Sequence, residues 1–180
     1  MSRIELIQSD EVTDDRADVL AQIQGAFGFV PNMFKAVANS PAALHSMWGS
    51  FGALGDGSLG AKIGEQIAVA VADRNRCDYC LSAHTLLGTK AGATGEEMAE
   101  AQKGISHDPR TAAILTLATD LVDRRGQVDD EVIRAARDTG LSSEEIVETV
   151  AHVALNVFTN YINVALDVPV DFDRIRLTSK

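Results

Sequence analysis

The chain is short of aromatic residues, of cations and of cysteine, and each shortage excludes something. Phe, Trp and Tyr make up 5% of 180 residues, against 46% for all hydrophobic types, so small aliphatic side chains must build the core. Rich in Ala, Val and Leu, such a core suits closely packed helices better than an aromatic-rich β-sandwich. Lys and Arg number 16 against 26 Asp and Glu, a net charge of −10. That balance repels phosphate and anionic lipid, so neither nucleic acid nor a membrane surface is an expected partner. No apolar run approaches the roughly 20 residues of a membrane span. The opening residues also lack an apolar stretch of signal-peptide length, so a cytoplasmic protein is expected. There, two cysteines placed close together are more often redox-active or metal-binding than a structural staple.

What is present is helical punctuation. At this length residues 1–180 are expected to form a single domain with a real core. Residues 1–13 read as an irregular lead-in. Ala17, Val19, Leu20, Ile23 and Phe27 then recur at helical spacing. Pro31-Asn32, with Pro31 at a first helical position, and Ser40-Pro41 each open a further helix. Leu59 begins a helical hairpin whose second arm runs out at Lys90-Ala91-Gly92. Thr94-Gly95-Glu96-Glu97 and Ser142-Ser143-Glu144-Glu145 are capping signatures, and Asp108-Pro109 and Asp129 open two more helices. No strand-like alternation survives between the turn signals. The expectation is an all-α fold of about eight or nine helices around the central hairpin.

The hairpin carries the chemistry. Glu65 lies in an apolar run ending near Asp73; Cys77 and Cys80 follow, with His84 four residues beyond the second cysteine. Glu65 falls ~14 Å behind the turn Arg74-Asn75-Arg76, and His84 lies ~10 Å beyond Cys77, so an antiparallel pair brings acid and imidazole roughly level. Cys80 and His84 share a helix face, as Cys77 and Cys80 nearly do. Carboxylate, imidazole, thiol and thiol in line are the layout of a proton-relayed redox dithiol. Cysteines three apart on a helix meet the ~4.4–6.8 Å Cα window of a disulfide. Both sulfurs lie near a helix N-terminus with Arg74 and Arg76 just before it, which favours thiolate, while Asp78 opposes it. The first cysteine is the usual attacker in disulfide exchange, but the imidazole beside Cys80 favours Cys80 as the peroxidatic sulfur and Cys77 as the resolving one. A zinc site would need a fourth ligand that the neighbourhood lacks, so no metal and no cofactor are expected.

Elsewhere, His152, Asn156, Asn160 and Asn163 form a polar stripe on an otherwise apolar final helix. Structural hydrogen bonding or a subunit interface is the favoured reading over contact with a substrate. His45 and His107 have no partner in the sequence and read as surface residues. Tyr79, between the cysteines, could pack or place a hydroxyl near the thiols.

The arrangement Glu65, twelve residues, Cys77-x-x-Cys80-x-x-x-His84 resembles the alkylhydroperoxidase D (AhpD-like) branch of the carboxymuconolactone decarboxylase superfamily. The clearest match runs over residues 59–100. The segments Gly28-Phe29-Val30-Pro31-Asn32 and Asn160-Tyr161-Ile162-Asn163 are similar to a longer peroxidase-related subfamily. The resemblance implies an all-helical fold, trimers or hexamers, and thiol-dependent reduction of hydroperoxides without haem or metal. Glu65 and His84 would manage protons, and an external dithiol or thiol protein would be the reductant. One position departs: the best-known members carry a histidine just before the second cysteine, where this chain has Tyr79. A general disulfide oxidoreductase, and a non-enzymatic redox sensor whose disulfide changes assembly, use the same pair and stand as alternatives.

Overall fold

The computed structural model describes residues 2–178, and these form nine α-helices, one short 3-10 turn at Ser9–Glu11 and no strand. Helices α1 (Arg16–Phe27), α2 (Asn32–Val37) and α3 (Pro41–Gly55) come first. They are followed by the hairpin of α4 (Ala61–Arg74) and α5 (Asp78–Lys90), and then by α6 (Gly95–Gln102). Helices α7 (Pro109–Asp123) and α8 (Asp130–Asp138) precede the long α9 (Ser143–Ala165). The helix starts follow the capping chemistry of the sequence. Ser40 and Asp108 each accept a hydrogen bond from a backbone N–H three residues on, with proline next in the chain. Thr94 with Glu97, and Ser142 with Glu145, form reciprocal capping boxes. Pro31 is the capping residue of α2 rather than its first helical residue, a shift of one position. The lead-in is irregular as expected apart from its 3-10 turn, and Arg3 N–H ties it to the Leu166 carbonyl at 2.8 Å.

Helix α4 is the hub, in contact with α5, α6, α7 and α9. Val69, Ala70 and Ala72 enter one apolar cluster with residues of α1, α2, α3 and α5, while Ile67 and Val71 enter a second with α7 and α8. A helix buried on two sides has no solvent face to spend on charge, which is why this stretch is apolar nearly all round. Its alanines let neighbouring helices approach closely. Gly88 on α5 serves the same end: a Cβ there would stand 3.3 Å from the Glu65 Cβ and 2.5 Å from the Met98 thioether.

After α9 the chain does not stop at the helix end. Residues 168–178 run back across α5 and the end of α4 as an extended strap, without helical or strand assignment. Its far end is clamped by Asp73, a buried carboxylate on α4. Asp73 accepts from Thr178 N–H (2.8 Å), Thr178 Oγ1 (2.5 Å) and Gln102 Nε2 (2.8 Å). Burial works against its charge, but these donors and Arg76 outweigh it and hold its pKa below the usual carboxylate value.

Replacing Asp73 by Ala leaves those donors without their acceptor and should lower stability by about 1–3 kcal/mol in urea denaturation at neutral pH. A lowered folded pKa means that the contribution is complete above about pH 4 and is lost as pH falls through the folded value. The gap between the parent and Asp73→Ala proteins should therefore narrow in acid; a gap independent of pH would contradict the clamp.

Candidate functional site at the hairpin tip

Helix α4 ends and α5 begins almost without a linker. Arg76 takes a left-handed conformation (φ 58°), and the N–H groups of Arg76 and Cys77 bond back to the carbonyls of Asp73 (3.2 Å) and Ala72 (2.9 Å). That is a Schellman closure of α4. Cys77 is at once the capping residue of α5, its Sγ accepting the Cys80 N–H at 3.2 Å. Because the chain turns on Cys77, Cys80 is fixed one helical turn away with its sulfur facing the first. The two free thiols lie 2.7 Å apart, sulfur to sulfur, with Cys77 1% and Cys80 2% exposed.

Further down the hairpin, Glu65 on α4 and His84 on α5 meet: Glu65 Oε2 is 2.7 Å from His84 Nδ1. The absent side chain at Gly88, one turn beyond His84, leaves room for the stem of Glu65. Burial disfavours a charged imidazole, yet the Glu65 carboxylate, through charge and hydrogen bond, raises the His84 pKa above its usual value, with Cys80 adding to the effect. With Nδ1 held by Glu65, Nε2 is the nitrogen left for other work.

The two sulfurs differ. Hydrogen bonding to Cys80, with burial added, pushes the Cys77 thiol far up and keeps its proton on. For Cys80, burial also acts upward, but the Cys77 thiol, the charge on His84 and the amides of Asn163 and Asn160 overcome it and bring the pKa down to about 7. Asn163 Nδ2 donates to the Cys80 sulfur at 3.1 Å. Arg74 and Arg76, expected to aid the thiols, are directed elsewhere, to Asp123 (3.4 Å) and to the Thr178 carbonyl (2.6 Å).

The polar stripe of α9 thus faces the hairpin rather than an outer surface. Asn160 Oδ1 accepts from Asn75 Nδ2 (2.9 Å), Asn156 donates to the His152 carbonyl (2.9 Å), and the His152 ring packs over Gly64. Helical spacing marked these residues as one face; the role of Asn163 against Cys80 was not read from the sequence, where 83 positions separate the two. Among the described residues, the side-chain oxygens of Asn156 and Asn163 are buried without a protein partner.

Two clefts flank His84. One is lined by Cys80 and His84 together with Phe27, Phe34, Phe51 and Phe172. The other reaches Glu65 and His84 and is lined by His152 and Asn156. Tyr79 is buried, with its hydroxyl donating to Asp171 Oδ2 (2.6 Å) and accepting the Met33 N–H (3.2 Å), so the phenol is committed away from the thiols. His45 and His107 are exposed but not unpartnered, being 3.0 Å from Asp15 and 2.9 Å from Glu100. Among the described residues no three His, Cys, Asp or Glu side chains converge as a metal site, and no helix is long and apolar enough to cross a membrane.

Helices packed on a central hairpin define a fold class, and comparison with known proteins agrees. The model of the carboxymuconolactone decarboxylase family matches residues 41–106. An uncharacterized protein of Cupriavidus necator, H16_B0147, is 36% identical over 90 residues, which span 49% of this chain and 74% of that protein. Among solved structures, the AhpD-core, peroxidase-related protein of Ralstonia eutropha JMP134 superposes with a TM-score of 0.83 at 24% identity, over 94% of this chain and 92% of the other. The debrominase Bmp8, in complex with 2,3,4-tribromopyrrole, superposes with a TM-score of 0.80 at 19% identity, over 95% and 94%. The chain belongs to the carboxymuconolactone decarboxylase family, and its fold is shared with AhpD-like proteins.

The reactivity of the first sulfur to be alkylated should follow the Cys80 thiolate. Iodoacetamide labelling, read by mass spectrometry, should rise with pH about a midpoint near 7. Asn163→Ala removes a hydrogen bond to the anion and should move that midpoint up. An unshifted midpoint in the folded variant would remove Asn163 from the site.

Proposed function

We propose that this chain reduces hydroperoxides through a Cys77–Cys80 dithiol–disulfide cycle. The observation that carries the reading is the asymmetry of the pair: Cys80 is held toward thiolate while Cys77, 2.7 Å away, keeps its proton. The Cys80 thiolate attacks the distal oxygen of the peroxide, the O–O bond breaks, and His84 protonates the departing alkoxide. Cys80 becomes a sulfenic acid. Cys77 then attacks that sulfur; its proton leaves with the hydroxyl as water, and the disulfide closes. Two thiols and one hydroperoxide thus give a disulfide, an alcohol and water. An external dithiol restores the pair by exchange and is itself oxidised. Glu65 orients and charges His84 throughout.

Burial of both sulfurs speaks against a general oxidoreductase acting on protein disulfides, since only a small molecule fits the cleft at Cys80. The aromatic walls of that cleft support a second reading, reduction of a bromoarene, for which a fold relative named a debrominase is the precedent. There the dithiol would supply two electrons, an aryl C–Br bond would become C–H, and bromide and a proton would leave. Peroxide consumption against bromide release, both with dithiothreitol as reductant, decides between the two.

Under the peroxidase reading His84→Ala should slow turnover by about 10²–10⁴-fold, the range of a positioned acid–base group. Glu65→Gln should also slow it, and the double variant should lose far less than the product of the single effects, because the residues act in series. Cys77→Ser should accumulate a dimedone-trappable sulfenic acid on Cys80, and Cys80→Ser should form none. Parent rates in the Glu65 and His84 variants would refute the relay, and trapping in Cys80→Ser alone would exchange the roles of the sulfurs.

We also propose a homo-oligomer. The α9 face opposite the polar stripe exposes Val147 (66%), Val150 (44%) and Tyr161 (61%), an apolar run a neighbouring copy would cover. Light scattering should give a trimer or hexamer; a monomer at micromolar concentration would contradict it.

A further inference from the structure

The peroxidase reading leaves Tyr79 and the C-terminal strap without a role, and the two are joined. Tyr79 sits inside the CxxC motif, yet its hydroxyl donates to Asp171 on the strap at 2.6 Å. The same Asp171 oxygen accepts the Asn32 N–H at 2.8 Å, and Asn32 Nδ2 donates to the Pro169 carbonyl at 3.2 Å. The next residue, Phe172, stands edge-on to the Tyr79 ring (centroids 5.7 Å, 87°) and tilts against Phe29 (6.1 Å, 55°). Beyond it, Ile175 N–H donates to Ser82 Oγ at 3.0 Å, and Gln102 Nε2 to the Arg176 carbonyl at 2.9 Å. The strap is therefore fixed on both sides of Phe172.

Phe172 lines the cleft at Cys80, and it also lines a separate outer groove with Ser82, Thr85 and Leu86. One side chain is thus a wall shared by the thiol cleft and the outer groove. The cleft is carbon over nearly its whole wall; the polar groups that can serve a peroxide are those of Cys80 and His84. A substrate that fills such a cleft gains from burying apolar surface, while a small polar oxidant gains nothing from the walls.

We propose that Tyr79 and Asp171 clasp the strap over the dithiol, so that Phe172 becomes the selectivity wall and the site takes hydroperoxides with an aromatic or bulky apolar body over hydrogen peroxide. The inference rests on the peroxidase reading for its reaction and on the strap for its specificity. Tyr79 here is a positioning residue. Burial, with the Asp171 carboxylate beside it, pushes its phenol well above the ordinary value, so it remains a donor to the strap over the working pH range.

The test compares kcat/KM for cumene hydroperoxide and hydrogen peroxide in the parent, Phe172→Ala, Tyr79→Phe, Asp171→Ala and Asp171→Asn proteins, with circular dichroism melts to confirm folding. Phe172→Ala should lower the cumene-to-hydrogen peroxide ratio by roughly tenfold or more, mainly through KM. Tyr79→Phe and Asp171→Ala should shift it the same way by less, and Asp171→Asn, which keeps an acceptor for the phenol, should retain the parent ratio. Capture of an aromatic reagent at Cys80 gives a readout independent of turnover: with the apolar contact of Phe172 lost, the alkylation rate with N-phenylmaleimide relative to iodoacetamide should fall in Phe172→Ala. Unchanged peroxide and alkylation ratios in folded Phe172→Ala overturn the wall. A shifted alkylation ratio in a protein that consumes neither peroxide upholds the wall and overturns the hydroperoxide class, and with it the peroxidase reading.

Discussion

Everything at this site depends on the double duty of Cys77. Its N–H closes α4 and its sulfur opens α5, so the two helices meet at a corner of three residues, Asn75, Arg76 and Cys77 itself. A longer loop would uncouple the register of the helices. With this corner the rest is arithmetic: each residue climbed along α5 is matched by one descended along α4, and Glu65 and His84 arrive at the same level with 2.7 Å between them. The cost is a left-handed Arg76, a conformation that a non-glycine residue adopts only when its surroundings hold it there.

Placing a thiolate, an imidazolium and a carboxylate in a buried hairpin would be expensive if any stood alone. They do not. The charge on His84 lies between that of Glu65 and that of Cys80, and the sulfur receives further hydrogen bonds from Cys77 and Asn163. Burial opposes charge on both Cys80 and His84, yet both pKa values move toward the ionised form, so the neighbours outweigh burial. The same burial makes the cleft selective, because it strips water from anything that reaches the sulfur.

The hairpin was legible in the sequence because its geometry is local. Helical rise converts residue number into distance, and capping chemistry marks where to begin counting, as at Ser40, Thr94, Asp108 and Ser142. The stripe of His152, Asn156, Asn160 and Asn163 was legible only as a face. Its partner depends on how α9 lies against the hairpin, and periodicity carries no information on that. The strap was not legible: it has no period, and its ties are isolated hydrogen bonds to residues such as Asp73, which the sequence marks only as the end of an apolar run. The pull of Arg74 and Arg76 on the thiols failed for a related reason, since long side chains go to whatever acceptors the tertiary fold supplies, here Asp123 and Thr178.

Tyr79 shows how a motif position can change its work without changing the motif. A residue between two helix-start cysteines points away from both sulfurs and toward whatever covers the tip. Where the family resemblance implies an imidazole, this chain has a phenol whose proton is held firmly and cannot be shuttled near neutrality. In the proposed cycle the relay runs through Glu65 and His84 alone, while the position between the cysteines holds the strap. Since the strap supplies Phe172, a change from imidazole to phenol exchanges a proton carrier for a fixed wall. On the proposed reading, a residue between the two cysteines governs what reaches the sulfur instead of how the sulfur reacts.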